Sequence, residues 1–154
     1  MNILLVRTTG FPPDLRIEKE AESLLEAGHD VYLLCSGSRN EPARDAWKEM
    51  RIYRIADHNY YWTKLFNILS YIFRLNIRFL FKVRKLIKHH DIDIVCVYNT
   101  PIFPTVWFAT RKLKTPIILI MLEYYPALLK TLSKGLLSQV KNPSFVCKFI
   151  DYLS

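Results

Sequence analysis

Glycine is scarce in this chain, with four in 154 residues. No Gly-x-Gly-x-x-Gly run occurs, which argues against a nucleotide-binding enzyme of the dinucleotide-fingerprint type. Cysteine is scarcer still. Cys35, Cys96 and Cys147 stand far apart, and the first two lie in apolar runs, where thiols are expected to be buried and reduced rather than bridged or metal-bound. The four histidines, His29, His58, His89 and His90, are scattered. No Ser-His-Asp, Cys-His or metal-ligand constellation forms around them, so no metal site is expected. No run of 18 uncharged apolar residues is present, which excludes an ordinary transmembrane span. Met1 runs straight into an aliphatic stretch, so no leader is expected and the protein is expected to be cytoplasmic. There is no internal repeat and no low-complexity segment.

Acidic residues are missing from one region in particular. The formal net charge is +8, and between Trp62 and His90 the chain carries Lys64, Arg74, Arg78, Lys82, Arg84, Lys85 and Lys88 with no Asp or Glu. Basicity therefore needs a local explanation. Leu65, Phe66, Leu69, Ile72, Phe73, Leu80 and Phe81 are interleaved with these cations. Such a segment suits a helix that packs part of its surface on the core and docks on anionic lipid through Arg74, Arg78, Lys82 and Lys85. A core helix with a merely solvated basic face is the other reading. Basic and aromatic residues also serve nucleic-acid binding, but no recognition motif supports that partner here.

What is present is an alternation of strands and helices. About half of the residues are apolar, enough for a core in one domain spanning 1–154. Asn2–Arg7 reads as a strand buried on both faces. Thr8–Pro13 is a loop, and Asp14 stands at a helix N-cap. Ile17, Ala21, Leu24 and Leu25 recur at helical spacing, and Gly28 ends the helix. Asp30–Cys35 is a second strand, Ser36–Asp45 a polar loop and Arg51–Ile55 a third strand nearer an edge. After the basic segment come a strand at Ile92–Tyr98, a helix at Thr105–Leu113 and a strand at Pro116–Met121. From Tyr125 onward the chain is helical or loose, with breaks at Gly135 and Pro143. The order predicts an α/β fold: an open, mostly parallel, Rossmann-like sheet with helices on both faces.

Asp14, Arg16, Lys19, Glu20, Ala21, Gly28, His29 and Val31, following the Gly-Phe-Pro-Pro loop, form a pattern that resembles the N-terminal, acceptor-side domain of family 4 glycosyltransferases. Glu123, Tyr125 and Pro126 fit the segment that follows the fifth strand in that family. Tyr98, Ile120 and Leu122 depart from it, standing where the family commonly has His, Asp and His. The resemblance implies one half of a GT-B enzyme, moving sugar from a nucleotide-sugar donor to a glycan or lipid-linked acceptor. It also implies that the donor is held chiefly by a C-terminal domain that is absent here, so this chain is expected to bind no cofactor and to be inactive alone. Peripheral contact with the inner membrane face fits the same resemblance. A non-enzymatic Rossmann-like module that binds a membrane or a protein partner through its basic helix is the alternative. An open sheet edge also allows a homodimer.

The candidate site residues gather at the carboxyl edge of the predicted sheet, where open α/β folds bind ligands. Thr9 and Gly10 follow the first strand, next to a helix N-terminus that favours anions, although Asp14 at the cap opposes a phosphate. The resemblance implies a glycine loop set against the donor diphosphate here, and a simple tight turn explains the glycine as well. Arg16 opposes the helix dipole, which suits a substrate contact, a surface position or an ion pair with Asp14. Tyr98, Asn99 and Thr100 end the fourth predicted strand. Glu123, beside Tyr124, is a candidate to orient an acceptor hydroxyl or act as base, with a structural hydrogen bond as the other reading.

Overall fold

Strand β1 (Asn2–Val6) has no polar face to offer water, and the fold places it at the centre of the sheet. In this computed structural model, residues 1–38, 40–56, 75–98 and 100–121 are described. Residues Met1–Ile120 form one compact unit. β1 pairs in parallel with β2 (Asp30–Gly37) on one side and with β5 (Ile94–Val97) on the other. β4 (Met50–Ala56) adds in parallel to β2, and β6 (Ile117–Leu119) in parallel to β5. The sheet order is β3-β4-β2-β1-β5-β6, in which β3 (Arg44–Trp47) alone is antiparallel.

Successive side chains of a strand face opposite sides, so each face builds its own core. On one face Leu4, Val6, Tyr32, Leu34, Tyr53, Val95 and Val97 pack against Phe79, Val83, Leu86 and Ile87 of α2 (Ile77–His90) and Val106 and Ala109 of α3 (Phe103–Thr110). On the other, Ile3, Leu5, Leu33, Cys35, Ile52 and Cys96 meet Phe11 and the Ile17 and Ala21 stripe of α1 (Leu15–Glu26). Each large aliphatic side chain buried this way contributes about 1.5–3 kcal/mol. The α/β class, the mostly parallel sheet and the helices on both faces are as the alternation predicts.

Helix ends follow their local chemistry. The Asp14 carboxylate accepts from the amides of Arg16 (3.0 Å) and Ile17 (3.3 Å), and Gly28 takes a left-handed φ of +78° after α1. Asn76 caps α2 by accepting from Phe79 N at 3.3 Å, and Asp91 stops it in the left-handed region at φ 47°. The Asn76 amide also donates to Thr105 Oγ1 at 2.9 Å. Arg84 donates to the carbonyls of Phe108 (3.1 Å) and Ala109 (3.4 Å). The N-cap and the middle of α2 are thus tied to the two ends of α3.

Two expectations need correcting. The polar loop read over Ser36–Asp45 runs into strand β3, whose residues are mostly exposed and carry no apolar alternation. Pairing with β4 makes it a strand, and β4 is therefore one place in from the edge. The ion pair considered between Asp14 and Arg16 is not formed. Asp14 pairs with Arg7, and Arg16 points out on the first turn of α1, exposed.

Candidate functional site

The chain runs outward from β1 through β2 to β4 on one side, then returns to β5 on the other. The topological switch point therefore lies between the carboxyl ends of β1 and β5, where open α/β sheets leave a crevice. The Thr8–Pro13 loop leaves β1 on one side of it. On the other, Tyr98 follows β5 and donates its amide to Val6 O at 3.1 Å.

That loop is braced from three directions. Arg7 Nη1 donates to Asp14 Oδ2 at 2.6 Å, and Arg7 Nε donates to Thr9 Oγ1 at 2.7 Å. Arg7 Nη2 also contacts Thr9 Oγ1. The Phe11 ring is fully buried and meets Trp47 edge-on, with centroids 6.0 Å apart. The Phe11 carbonyl accepts from Arg54 Nη2 at 3.0 Å. Phe11–Pro12 and Pro12–Pro13 are both cis. Arg54 itself is 4 % exposed and pairs with Asp45 Oδ2 at 2.9 Å. Thr9 and Gly10, at the crest of the loop, are exposed.

Gly10 has no positive φ, and a Cβ there would rest at an ordinary 3.7 Å from Ser36 O. Neither the turn nor the packing demands glycine, so the tight-turn explanation does not account for it. Arg7 occupies the Thr9 hydroxyl as an acceptor, which leaves its hydrogen free to donate outward. Burial disfavours the charged form of Asp14, but the Ile17 amide and the Arg7 guanidinium outweigh it and hold the carboxyl below its usual range. The negative charge at the helix cap is thereby matched by a partly buried cation.

Tyr98 is 4 % exposed and packs in the α1 core with its hydroxyl near the Glu20 carboxylate, and the buried Thr100 Oγ1 has no hydrogen-bond partner. Burial, with the Glu20 carboxylate next, pushes the phenol far above the ordinary tyrosine range. Cys35 and Cys96 are buried free thiols, each pushed up by burial to about 11, so neither is a nucleophile at neutral pH. Among the described residues no cluster of His, Cys, Asp and Glu is placed to hold a metal ion.

A profile of Glycosyltransferase Family 4 matches residues 16–135, most of the chain. This chain belongs to glycosyltransferase family 4. The match runs from the first turn of α1 past β6, and β1 with the loop after it precedes the matched residues. Among solved structures, the chain is similar to the C-terminal domain of a hydrogenase from Pyrococcus furiosus. The identity is 16 %, with 78 % of this chain and 90 % of that one covered and a TM-score of 0.52. At that identity the likeness speaks for the α/β fold alone. No curated protein matches the chain significantly.

Within this family 4 domain, Thr9 and Gly10 stand at the switch-point crevice, with Tyr98 on its far side beneath the surface. Arg16 is exposed at the start of α1. Arg78, Lys82 and Lys85 lie on α2, across the sheet from α1. Asn99, Glu123, Tyr124 and Arg74 lie outside the described residues, as do most of the first half of the basic segment and the chain from residue 122. Sequence reading missed Arg7, Phe11 and Arg54. A signal for Arg54 was there: in RIYRI it shares the parity of Ile52, which faces the α1 side of the sheet.

Proposed function

We propose that this family 4 domain is the acceptor-side half of a GT-B glycosyltransferase, placing a glycan or lipid-linked acceptor at the crevice between β1 and β5. A second Rossmann-like domain would hold the nucleotide-sugar donor. The observation that carries this reading is the braced, exposed Thr9–Gly10 crest at the switch point, just ahead of the residues matched to the family. Thr9 donates its free hydroxyl hydrogen to a ligand oxygen, Gly10 leaves room for close approach, and Arg16 adds a cation beside the helix N-terminus. Glu123 is assigned to orient the acceptor hydroxyl, with Asn99 and Tyr124 as flanking contacts, on the sequence resemblance. Sugar transfer needs both substrates held in one closed cleft. We place the domain at the cytoplasmic membrane face, held there by its basic segment.

Ligand-observed NMR of the chain with soluble glycosides, lipid-acceptor head-group analogues and nucleotide sugars tests this. Saturation transfer to an acceptor class, abolished by Gly10→Val with the fold intact, is the expected result, with no donor turnover by the chain alone. Transfer to none of the acceptors, or equal transfer in Gly10→Val, would favour a non-enzymatic binding module.

A further inference from the structure

Ten of the 22 Lys and Arg residues, but two of the 14 Asp and Glu, fall between residues 58 and 122, so this stretch carries the whole formal charge of +8. The two acids, Asp91 and Asp93, follow the C-terminus of α2, and Asp93 is engaged by the Asn2 amide at 2.7 Å. Helices α2 and α3 themselves contain no acid. On the opposite face, α1 carries Glu18, Glu20, Glu22 and Glu26 against Arg16 and Lys19. The two helical layers thus have opposite charge.

The cationic layer also exposes aromatic side chains. Phe81 on α2 is 65 % exposed, and Trp107 and Phe108 on α3 are 46 % and 38 % exposed. Trp107 and Phe108 pack edge-on with centroids 5.4 Å apart. The Arg111 guanidinium sits 5.3 Å from one ring centroid and 5.2 Å from the other. Neighbouring exposed aromatics are uncommon where water is the only neighbour. Phe81, Lys85 and Lys88 share one helical stripe by their spacing, and Arg84 joins that helix to the Phe108 end of α3.

We propose that α3 docks on an anionic phospholipid bilayer, with Trp107 and Phe108 entering the interface and Arg111, Arg84, Lys85 and Lys88 meeting phosphates around them. The proposal rests on the peripheral-membrane reading of the basic segment and differs from it in which residues enter the lipid. Charge complementarity selects the occupant. A second copy would bring two acid-free faces together and repel, whereas anionic headgroups match the cations and the interfacial layer suits Trp. Arg111 stacks on both rings while its N–H groups remain available, so it reaches phosphate at the depth of the aromatics.

The test uses the whole chain with neutral and anionic vesicles, the latter carrying brominated acyl chains that quench tryptophan on contact. Binding to anionic vesicles alone is expected, with quenching that falls by about half or more in Trp107→Phe, since Trp is the residue that lies at the interface. The double variant Trp107→Ser/Phe108→Ser is expected to partition about tenfold more weakly, folding being checked by circular dichroism. Two half-exposed side chains leave the core intact. Unchanged quenching in Trp107→Phe, with vesicle binding kept and sensitive only to Lys82 and Lys85, overturns this proposal and leaves the basic-segment reading standing. No binding to anionic vesicles at low salt overturns both. Self-association of the chain without lipid, lost in the double variant, assigns the face to a protein interface and also overturns it.

Discussion

Arg54 is a nearly buried cation whose hydrogen bonds reach Phe11 O, Pro42 O (3.2 Å) and Asp45. Its alkyl stem fills the space beside Gly37, where a Cβ would lie 2.8 Å from Arg54 Cβ. Gly37→Ala therefore forces the stem and the carbonyls it serves to move, at a cost of about 1–3 kcal/mol, read as a lower urea midpoint at constant slope. Arg54→Met leaves the buried Phe11 carbonyl unpaired, with a loss of about 1–3 kcal/mol. It also loosens the crest, so amide exchange at Thr9 and Gly10 is expected to quicken more than exchange in β5. His90 governs another dependence. It accepts or donates at Tyr53 Oη over 2.7 Å and stacks near Tyr32, and burial, followed by His89, Arg51 and Arg44, lowers its pKa below 6.5. The unfolded chain then binds the proton more readily than the folded one, so stability is intact above the unfolded pKa and falls as pH drops through that window. Asp14, also lowered, extends the loss through the ordinary carboxylate range and below it. Chemical denaturation across pH checks this: His90→Gln should flatten the upper limb and Asp14→Asn the lower.

At the scale of elements, the N-terminus of α1 is the clearest case of local chemistry fixing a boundary. Asp14→Ala removes two capping bonds and the Arg7 partner, and is expected to lower stability by about 1–2 kcal/mol, with Asp14→Asn retaining most of the cap. The first βαβ unit was legible because each of its signals is local: an aliphatic run, a capping Asp, an apolar stripe and a terminating Gly. β5 and β6 were legible as apolar runs, although Ile92 and Tyr98 lie outside β5 because the hydrogen-bonded ladder is shorter than the apolar run. β3 was not, because nothing in Arg44–Trp47 alternates and its pairing with β4 is tertiary. The candidate site was legible to the same extent. Thr9, Gly10 and Tyr98 could be placed at the carboxyl edge from the order of elements, whereas the choice of Arg7 over Arg16 as partner of Asp14 depends on how β1 lies against the cap. The exposed pair on α3 was hidden for a related reason. In an apolar octapeptide such as Phe103–Thr110, periodicity does not say which side lacks a neighbour.

For the whole molecule, the separation of charge has a consequence in solution. Lys82 is half-buried, and burial first, then Arg44 and Lys85, lower its pKa, so the cations of this layer disfavour one another. Screening relieves such repulsion. The melting temperature is therefore expected to rise from low to moderate sodium chloride, and reversing Lys85 to Glu should reduce that rise. A melting temperature that falls with salt would contradict it.

The central position of β1 also sets an order of events during synthesis. Its β2-facing edge finds a partner within about 35 residues of chain, and β4 and β3 then complete a half-sheet on that side. Its other edge waits for β5, which emerges only after α2 has been made. A nascent chain paused before Ile94 thus exposes an unpaired aliphatic strand at the middle of the future sheet. Translation speed across the basic segment sets how long that edge stays open to wrong partners.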